Sequence, residues 1–282
     1  MTATSDAGAL PDGTRLGRTA LRVSDLGEVT AFYRDVVGLG VLHRAETTAV
    51  LGVDESPLLV LEGDGDAPER GRTRAGLYHN AFRLPSRGAL GDALRRVRDR
   101  WHLDGASDHR VSEALYLTDP EGNGVELYRD FPRDAWPVAD DGTVRMSTDP
   151  LDLDAVEAAA AGRSDAPPDT DVGHVHLETT SLESFRSFYV DTVGFEMQMS
   201  VPAASFVSAG GYHHHVAANT WNRRTEPVRG RGLSWFEVVV PDSTAFDALR
   251  ERFAERGRRP TETDDGFAVT DPDGNEVRFR GC

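Results

Sequence analysis

The sequence is written twice. Residues 21–38 carry Leu26, Phe32, Tyr33, Asp35 and Gly38, and residues 177–194 carry Leu182, Phe188, Tyr189, Asp191 and Gly194, each 156 positions later. At the same offset Gly76-Leu77 answers Gly232-Leu233 and Pro85 answers Pro241. Near the ends, Asp119-Pro120 with Gly122-Asn123 answers Asp271-Pro272 with Gly274-Asn275, now 152 positions apart. A repeat of this length is one domain fold used twice. It also aligns the chain with itself. Side chains able to do chemistry stand at some equivalent positions and are missing at others, and that difference points to a site.

Each copy divides again into two smaller units. A unit opens with a strand, predicted at 18–23, 77–84, 172–177 and 233–240. An amphipathic helix follows. Leu26, Val29, Phe32, Tyr33 and Val36 share one face in the first unit, as Leu182, Phe185, Phe188, Tyr189 and Val193 do in the third. Ser24 or Asp25 can cap the first helix, and Gly38 is placed to end it. The second and fourth units have helices at about 88–100 and 243–256. Short strands complete each unit, including one at 213–217. Asp-Pro-Glu-Gly-Asn at 119–123 and Asp-Pro-Asp-Gly-Asn at 271–275 are turns between adjacent strands. The expected architecture is α+β, four βαβββ units in two tandem domains. The expected boundaries are an N-terminal tail at 1–14, a first domain at 15–132, a linker at 133–170 and a second domain at 171–282. One short helix is expected in the linker, near 153–161.

Composition bounds the partners. The net charge is −16, and all 31 basic residues are Arg. Such acidity argues against nucleic acid or an anionic membrane, because phosphate binding needs clustered cations. The single cysteine, Cys282, excludes an intrachain disulfide and argues against thiolate metal ligation. No stretch approaches the ~20 apolar residues of a membrane span. Residues 1–15 are polar, unlike a secretory signal. A cytoplasmic protein is expected, compatible with a homo-oligomer.

The four βαβββ units, with an Asp-Pro-x-Gly-Asn turn before the last strand in each copy, resemble the vicinal oxygen chelate superfamily. Glyoxalase I, the fosfomycin and bleomycin resistance proteins and the type I extradiol dioxygenases belong to it. Gly-Gly-Tyr-His-His-His at 210–215 with Asn219-Thr220-Trp221 is similar to the two-domain catechol 2,3-dioxygenases. The resemblance implies metal ligands on the first and last strands of two units that pair face to face. In the first and fourth units those positions hold Arg18, about Leu59, Trp235 and Arg278, none an ordinary ligand. The second and third units offer His79, Glu126, His174 and a histidine of the 213–215 run. Pairing across the copies therefore gives one complete site and one dead one, whereas pairing within each copy gives two fragments. Cross-copy pairing is the expectation.

On this resemblance His79, His174 and Glu126 are the metal ligands, with His176 the alternative to His174. Two imidazoles and a carboxylate on one face of an ion leave positions for substrate and dioxygen, as in non-haem Fe(II) oxygenases. The segment from His109 through Tyr116 to Glu126 resembles the extradiol signature, which implies that His109 and Tyr116 bind substrate oxygen and handle protons. In a strand, His213 and His215 point to one face and His214 to the other. The spacing from His215 to Asn219 resembles the glyoxalase ligand strand, so His215 is the expected acid–base residue, with His213 the alternative. The implied activity is extradiol cleavage of a small aromatic diol with O2 at Fe(II), with Mn(II) the alternative ion. Two further readings are a glyoxalase-like lyase or isomerase, and a non-enzymatic resistance-type protein that binds an aromatic molecule.

The charge itself carries a prediction. If −16 is an adaptation to salt, self-repulsion destabilises the fold in dilute buffer, and molar salt screens it to a Debye length of ~3 Å. The melting temperature should then rise steeply between dilute buffer and molar KCl. A flat profile would leave coding bias as the simpler account of the missing lysines.

Overall fold

A computed structural model describes residues 8–282; the first part of the polar N-terminal stretch, Met1–Ala7, lies outside the described residues. The four βαβββ units form in the expected order. Unit one is β1 (Arg15–Val23), α1 (Leu26–Phe32), β2 (Gly40–Arg44), β3 (Thr48–Val53) and β4 (Ser56–Gly63). Unit two is β5 (Gly76–Arg83), α2 (Arg87–Arg100), β6 (Gly105–Asp108), β7 (Ser112–Thr118) and β8 (Gly124–Asp130). A short helix, α3 (Leu153–Ala158), lies between the copies. Unit three is β9 (Asp171–Glu178), α4 (Leu182–Phe188), β10 (Glu196–Val201), β11 (Ala204–Ser208) and β12 (Val216–Asn219). Unit four is β13 (Gly232–Val240), α5 (Ser243–Glu255), β14 (Thr261–Thr263), β15 (Gly266–Thr270) and β16 (Glu276–Gly281).

The sheets pair across the copies. One eight-stranded sheet runs β14-β15-β16-β13-β1-β4-β3-β2 and joins units four and one; the other runs β10-β11-β12-β9-β5-β8-β7-β6 and joins units three and two. The seams are the antiparallel pairs β1–β13 and β5–β9.

The repeated residues explain themselves locally. Asp25 opens α1 by accepting from the Glu28 N–H, and Ser181 does the same for α4 from Ser184. Each helix ends in a five-residue π-helical turn stopped by a glycine in the left-handed region, Gly38 at φ 92° and Gly194 at φ 97°. In the Asp-Pro-x-Gly-Asn turns, Asp119 accepts from the Glu121 and Asn123 N–H groups, and Asp271 accepts from those of Asp273 and Asn275. The same turns reach into the preceding unit. Tyr33 donates to Asp119 at 3.4 Å and Tyr189 donates to Asp271 at 3.1 Å. Glu121 accepts from the Ser24 and Asp25 N–H groups, and Asp273 accepts from that of Thr180. Helix and turn motifs recur together because each pair clamps two units of one copy.

The sheet of units one and four carries the expected dead site. Arg278 lies over the Trp235 ring at 3.9 Å and Arg18 at 5.7 Å, while Leu59 is fully buried. Trp235 Nε1 donates to Glu62 at 2.9 Å. Glu237, buried, accepts from Arg18 through its backbone N–H at 2.9 Å and through its guanidinium. Two guanidinium groups and an indole fill the space where the other sheet gathers ligands.

Removing the Glu237 carboxylate takes the partner from the partly buried Arg18 N–H and leaves the guanidinium, on a side chain 31% exposed, with Asp265 alone. Glu237→Ala should cost about 1–3 kcal/mol of unfolding free energy in urea, with metal affinity unchanged because the residue lies on the other sheet. A loss below about 0.5 kcal/mol would show that Arg18 simply rehydrates.

Candidate metal centre

Three adjacent strands bring the expected ligands together. In register, Ala81 of β5 stands opposite His174 of β9 on one side and Glu126 of β8 on the other. The small Ala81 side chain leaves room at the junction, and His79 enters from two residues earlier on the same strand. His79 Nε2 and His174 Nε2 are 3.2 Å apart, and Glu126 Oε2 is 3.0 Å from the first and 3.2 Å from the second. All three residues are buried.

The donor set fits a divalent ion. Atoms at about 2.1 Å from one ion and at right angles to each other lie about 3 Å apart, as these do. Burial alone raises the Glu126 carboxyl, but His174 and His79 beside it hold it well below the usual carboxylate range. Burial lowers His174 to about 4 against the pull of Glu126, so both groups are in their ligating forms near neutrality. Among the described residues, this is the group of His, Cys, Asp or Glu side chains whose candidate ligand atoms all lie within 4.8 Å of one another.

The centre opens onto a cleft of about 400 Å³. His109 and Tyr116 line it, with His109 Nε2 and the Tyr116 hydroxyl 2.6 Å apart. His109 Nδ1 lies 2.6 Å from the Ser147 carbonyl, which only accepts, so Nδ1 carries the hydrogen. In neutral His109 the Tyr116 hydroxyl then donates to Nε2. Burial, reinforced by Glu126, raises Tyr116 well above its ordinary value and keeps it a phenol.

The histidine run departs from expectation. The chain at 211–215 is irregular, and β12 begins only at Val216. Gly210 and Gly211 both take positive φ just before it. Strand alternation therefore does not govern these three residues. His215, the expected acid–base residue, is turned away from the cleft: its ring packs on Phe195 and Tyr212, and its Nδ1 accepts from the Ala209 N–H at 3.2 Å. His214 faces the cleft instead, its ring centroid 4.0 Å from that of His174. His213, the expected alternative, is fully buried behind it. Its Nε2 lies 2.9 Å from Asp130 and its Nδ1 lies 2.8 Å from His214 Nδ1.

This chain of contacts has a direction. The Asp130 carboxylate only accepts, so His213 Nε2 carries a hydrogen. With a hydrogen on His213 Nε2 alone, its Nδ1 presents a lone pair, His214 donates to it, and His214 Nε2 keeps its own lone pair free. His176 lines the cleft but holds no place among the three ligand atoms; its Nε2 lies 3.1 Å from the Asn219 amide nitrogen.

Other lining residues were not readable from sequence. Met146, Ser147 and Thr148 come from the segment between the copies, and Tyr78, Met199, Phe206 and Trp221 come from strands and loops around the mouth. No motif marks a backbone carbonyl such as that of Ser147.

Comparison with known proteins decides the family. The profile of the Glyoxalase/Bleomycin resistance protein/Dioxygenase superfamily matches residues 15–127 and 171–279. The chain belongs to this superfamily. Among curated relatives, it is 38% identical over 275 residues to the catechol-2,3-dioxygenase of Bacillus subtilis (strain 168), covering 94% of this chain and 96% of that protein. It is 36% identical over 120 residues to biphenyl-2,3-diol 1,2-dioxygenase 3 of Rhodococcus globerulus, covering 41% of this chain and 63% of the other. Glyoxalase I from Zea mays shares the fold, with a TM-score of 0.59 at 15% identity over 95% of this chain and 92% of that one. No helix among the described residues is long and apolar enough to cross a membrane.

The buried imidazoles set a pH dependence for the metal-free protein. Burial lowers His174 to about 4 and His215 to about 3, and lowers His176 and His214 as well. A depressed folded-state pKa gives stability that is present above the unfolded value of ~6.5 and lost as pH falls toward the folded one. Depression of the Glu126 carboxyl acts in the same direction at lower pH. Metal-free protein should lose at least about 2 kcal/mol of unfolding free energy between pH 7 and pH 5, measured in urea with a chelator present. Stability that is level or rising over that range would mean the histidines are already charged in the fold.

Proposed function

We propose that this chain is an extradiol ring-cleaving dioxygenase acting on catechol-type aromatics. His79, His174 and Glu126 would hold the ion, Fe(II) with Mn(II) as the alternative. The observation that carries the reading is the convergence of two imidazole nitrogens and one carboxylate oxygen on a single point, with one side open to the cleft. The identity to a catechol-2,3-dioxygenase over 94% of the chain supports it. A bound ion supplies Lewis acidity toward the two hydroxyls of the diol and a position for dioxygen.

The chain's own residues handle the protons. The His214 Nε2 lone pair faces the cleft and accepts a proton from the diol; His214 returns it as the ring opens. Asp130 and His213 act through His214, holding it in the tautomer that can accept. Tyr116, kept neutral and donating to His109, offers its oxygen lone pairs to a substrate hydroxyl. Both atoms of O2 enter the product, and the bond broken lies beside, not between, the two hydroxylated carbons. The role first assigned to His215 thus passes to His214.

The test is anaerobic purification with Fe(II), addition of catechol and air-saturated buffer, and measurement of the yellow ring-opened product. Glu126→Ala should lose metal and activity together. His214→Phe should keep the metal and lose about 10²–10⁴-fold in kcat, whereas His215→Phe should stay within a few-fold. Asp130→Asn should keep the metal and lose about 10–100-fold, with Asp130→Glu recovering part of it. Loss of metal in His214→Phe would make that residue a ligand and turn the reading toward glyoxalase-like chemistry.

A further inference from the structure

We propose, on the basis of the ring-cleavage reading, that the preferred diols carry an uncharged, apolar substituent, which packs on a wall formed by Met199, Val201, Phe206 and Trp221.

The cleft is divided by chemistry. Its inner end holds the histidines, Glu126 and Tyr116, which deal with the hydroxylated edge of a ring. Its outer wall is built by β10, β11 and the turn that follows β12. Met199 pairs with Phe206 and Val201 pairs with Ala204 across β10 and β11, so all four side chains lie on one face. That face continues onto the aromatic side chains beside it. Phe206 lies 5.2 Å from His214, and Trp221 lies 5.3 Å from Tyr78 and 5.5 Å from His176, ring to ring. The Trp221 backbone N–H donates to Asn219 at 3.1 Å, which fixes where the indole starts.

Three of the large hydrophobic side chains exposed among the described residues sit at this one mouth: Tyr78 at 37%, Val201 at 41% and Trp221 at 50%. Exposed apolar side chains gathered at a cleft mark a surface that a ligand covers. The cavity of about 400 Å³ falls in the range that takes drug-sized ligands, more than a bare ring fills.

The second observation is what the lining lacks. Among the described residues no arginine lines the cleft, and the chain contains no lysine. Arg70 and Arg224 are committed to the buried Glu178, each at 2.9 Å, and Arg223 and Arg224 line a second recess that shares Trp221 with the cleft but none of its other lining residues. The carboxylate the cleft does contain, Glu126, is of the wrong sign to receive another. A carboxylated side chain on the diol would be desolvated against methionine, valine and indole with no cation to meet it.

Matched substrate pairs test this. 4-Ethylcatechol and 3,4-dihydroxyphenylacetate have the same reach and differ in a methyl against a carboxylate; 3-ethylcatechol and 2,3-dihydroxyphenylacetate do the same at the other ring position. With the Fe(II)-loaded enzyme, kcat/KM should favour the ethyl member of the better pair by at least about 50-fold. Trp221→Ala should lower kcat/KM for that ethylcatechol more than for catechol. Val201→Arg, which adds a cation at a half-exposed site on the wall, should cut the ratio at least about tenfold. A wild-type ratio near or below one overturns the proposal. Catechol itself separates the two layers: if no diol is turned over, the ring-cleavage reading fails. The wall's preference is then read from quenching of tryptophan fluorescence, where tighter binding of the ethyl compound sustains it and equal or tighter binding of the acid overturns it.

Discussion

The antiparallel pairing of β5 with β9 is the contact on which the candidate site depends. It joins strands from different copies, Gly76 opposite Glu178 at one end and Arg83 opposite Asp171 at the other. Two of the three converging side chains come from these two strands, and the third comes from β8, which is held to β5 in parallel. The seam is also tightly fitted. A Cβ on Gly173 would lie 1.7 Å from the Tyr128 hydroxyl, so the residue before His174 must be glycine for that ring to pack. Tyr128 in turn meets Tyr212 at 2.7 Å, and Tyr212 donates to Asp130 at 3.0 Å. The packing that closes the seam therefore ends on the carboxylate that orients His213.

The two sheets show how one scaffold can hold opposite chemistry. Where Ala81 leaves a gap among His79, His174 and Glu126, the equivalent Glu237 fills it and pairs with Arg18. A carboxylate at that place neutralises one guanidinium, and the indole face of Trp235 receives both. Charge is balanced within the protein on one sheet. On the other, His79, His174 and Glu126 converge with no guanidinium among them.

Much of this was legible in the sequence because the chain repeats. The order of elements, the caps, the glycine stops and the paired turns each appear in both copies, and each has a local physical cause. The complementary filling of ligand positions pointed to pairing across copies, and the strand order follows it. What could not be read was set by irregular backbone. His213, His214 and His215 were assigned to faces as though they lay in a strand, but two glycines at positive φ precede them and the ladder resumes only at Val216. That displacement brings His214, rather than His215, over His174. The segment between the copies looked like a connection by its composition. Ser147 nevertheless bonds His109 through a backbone carbonyl, a group every residue has and no pattern distinguishes.

The turn clamps have a consequence for how the molecule holds together. Unit one is tied to unit two by Tyr33 and Glu121, and unit three to unit four by Tyr189 and Asp273. Unit two is tied to unit three, and unit four to unit one, by the sheet seams. Traced in sequence, the chain is a line of two halves; traced by its contacts, it is a closed ring of four links. A ring has no loose end from which to unravel. Releasing any one unit breaks two different kinds of junction at once, and a half cut at the middle of the chain would expose both of its seam strands, β1 and β5 or β9 and β13, as bare edges. The covalent midpoint is thus not a mechanical one, and the fold is expected to come apart as a whole.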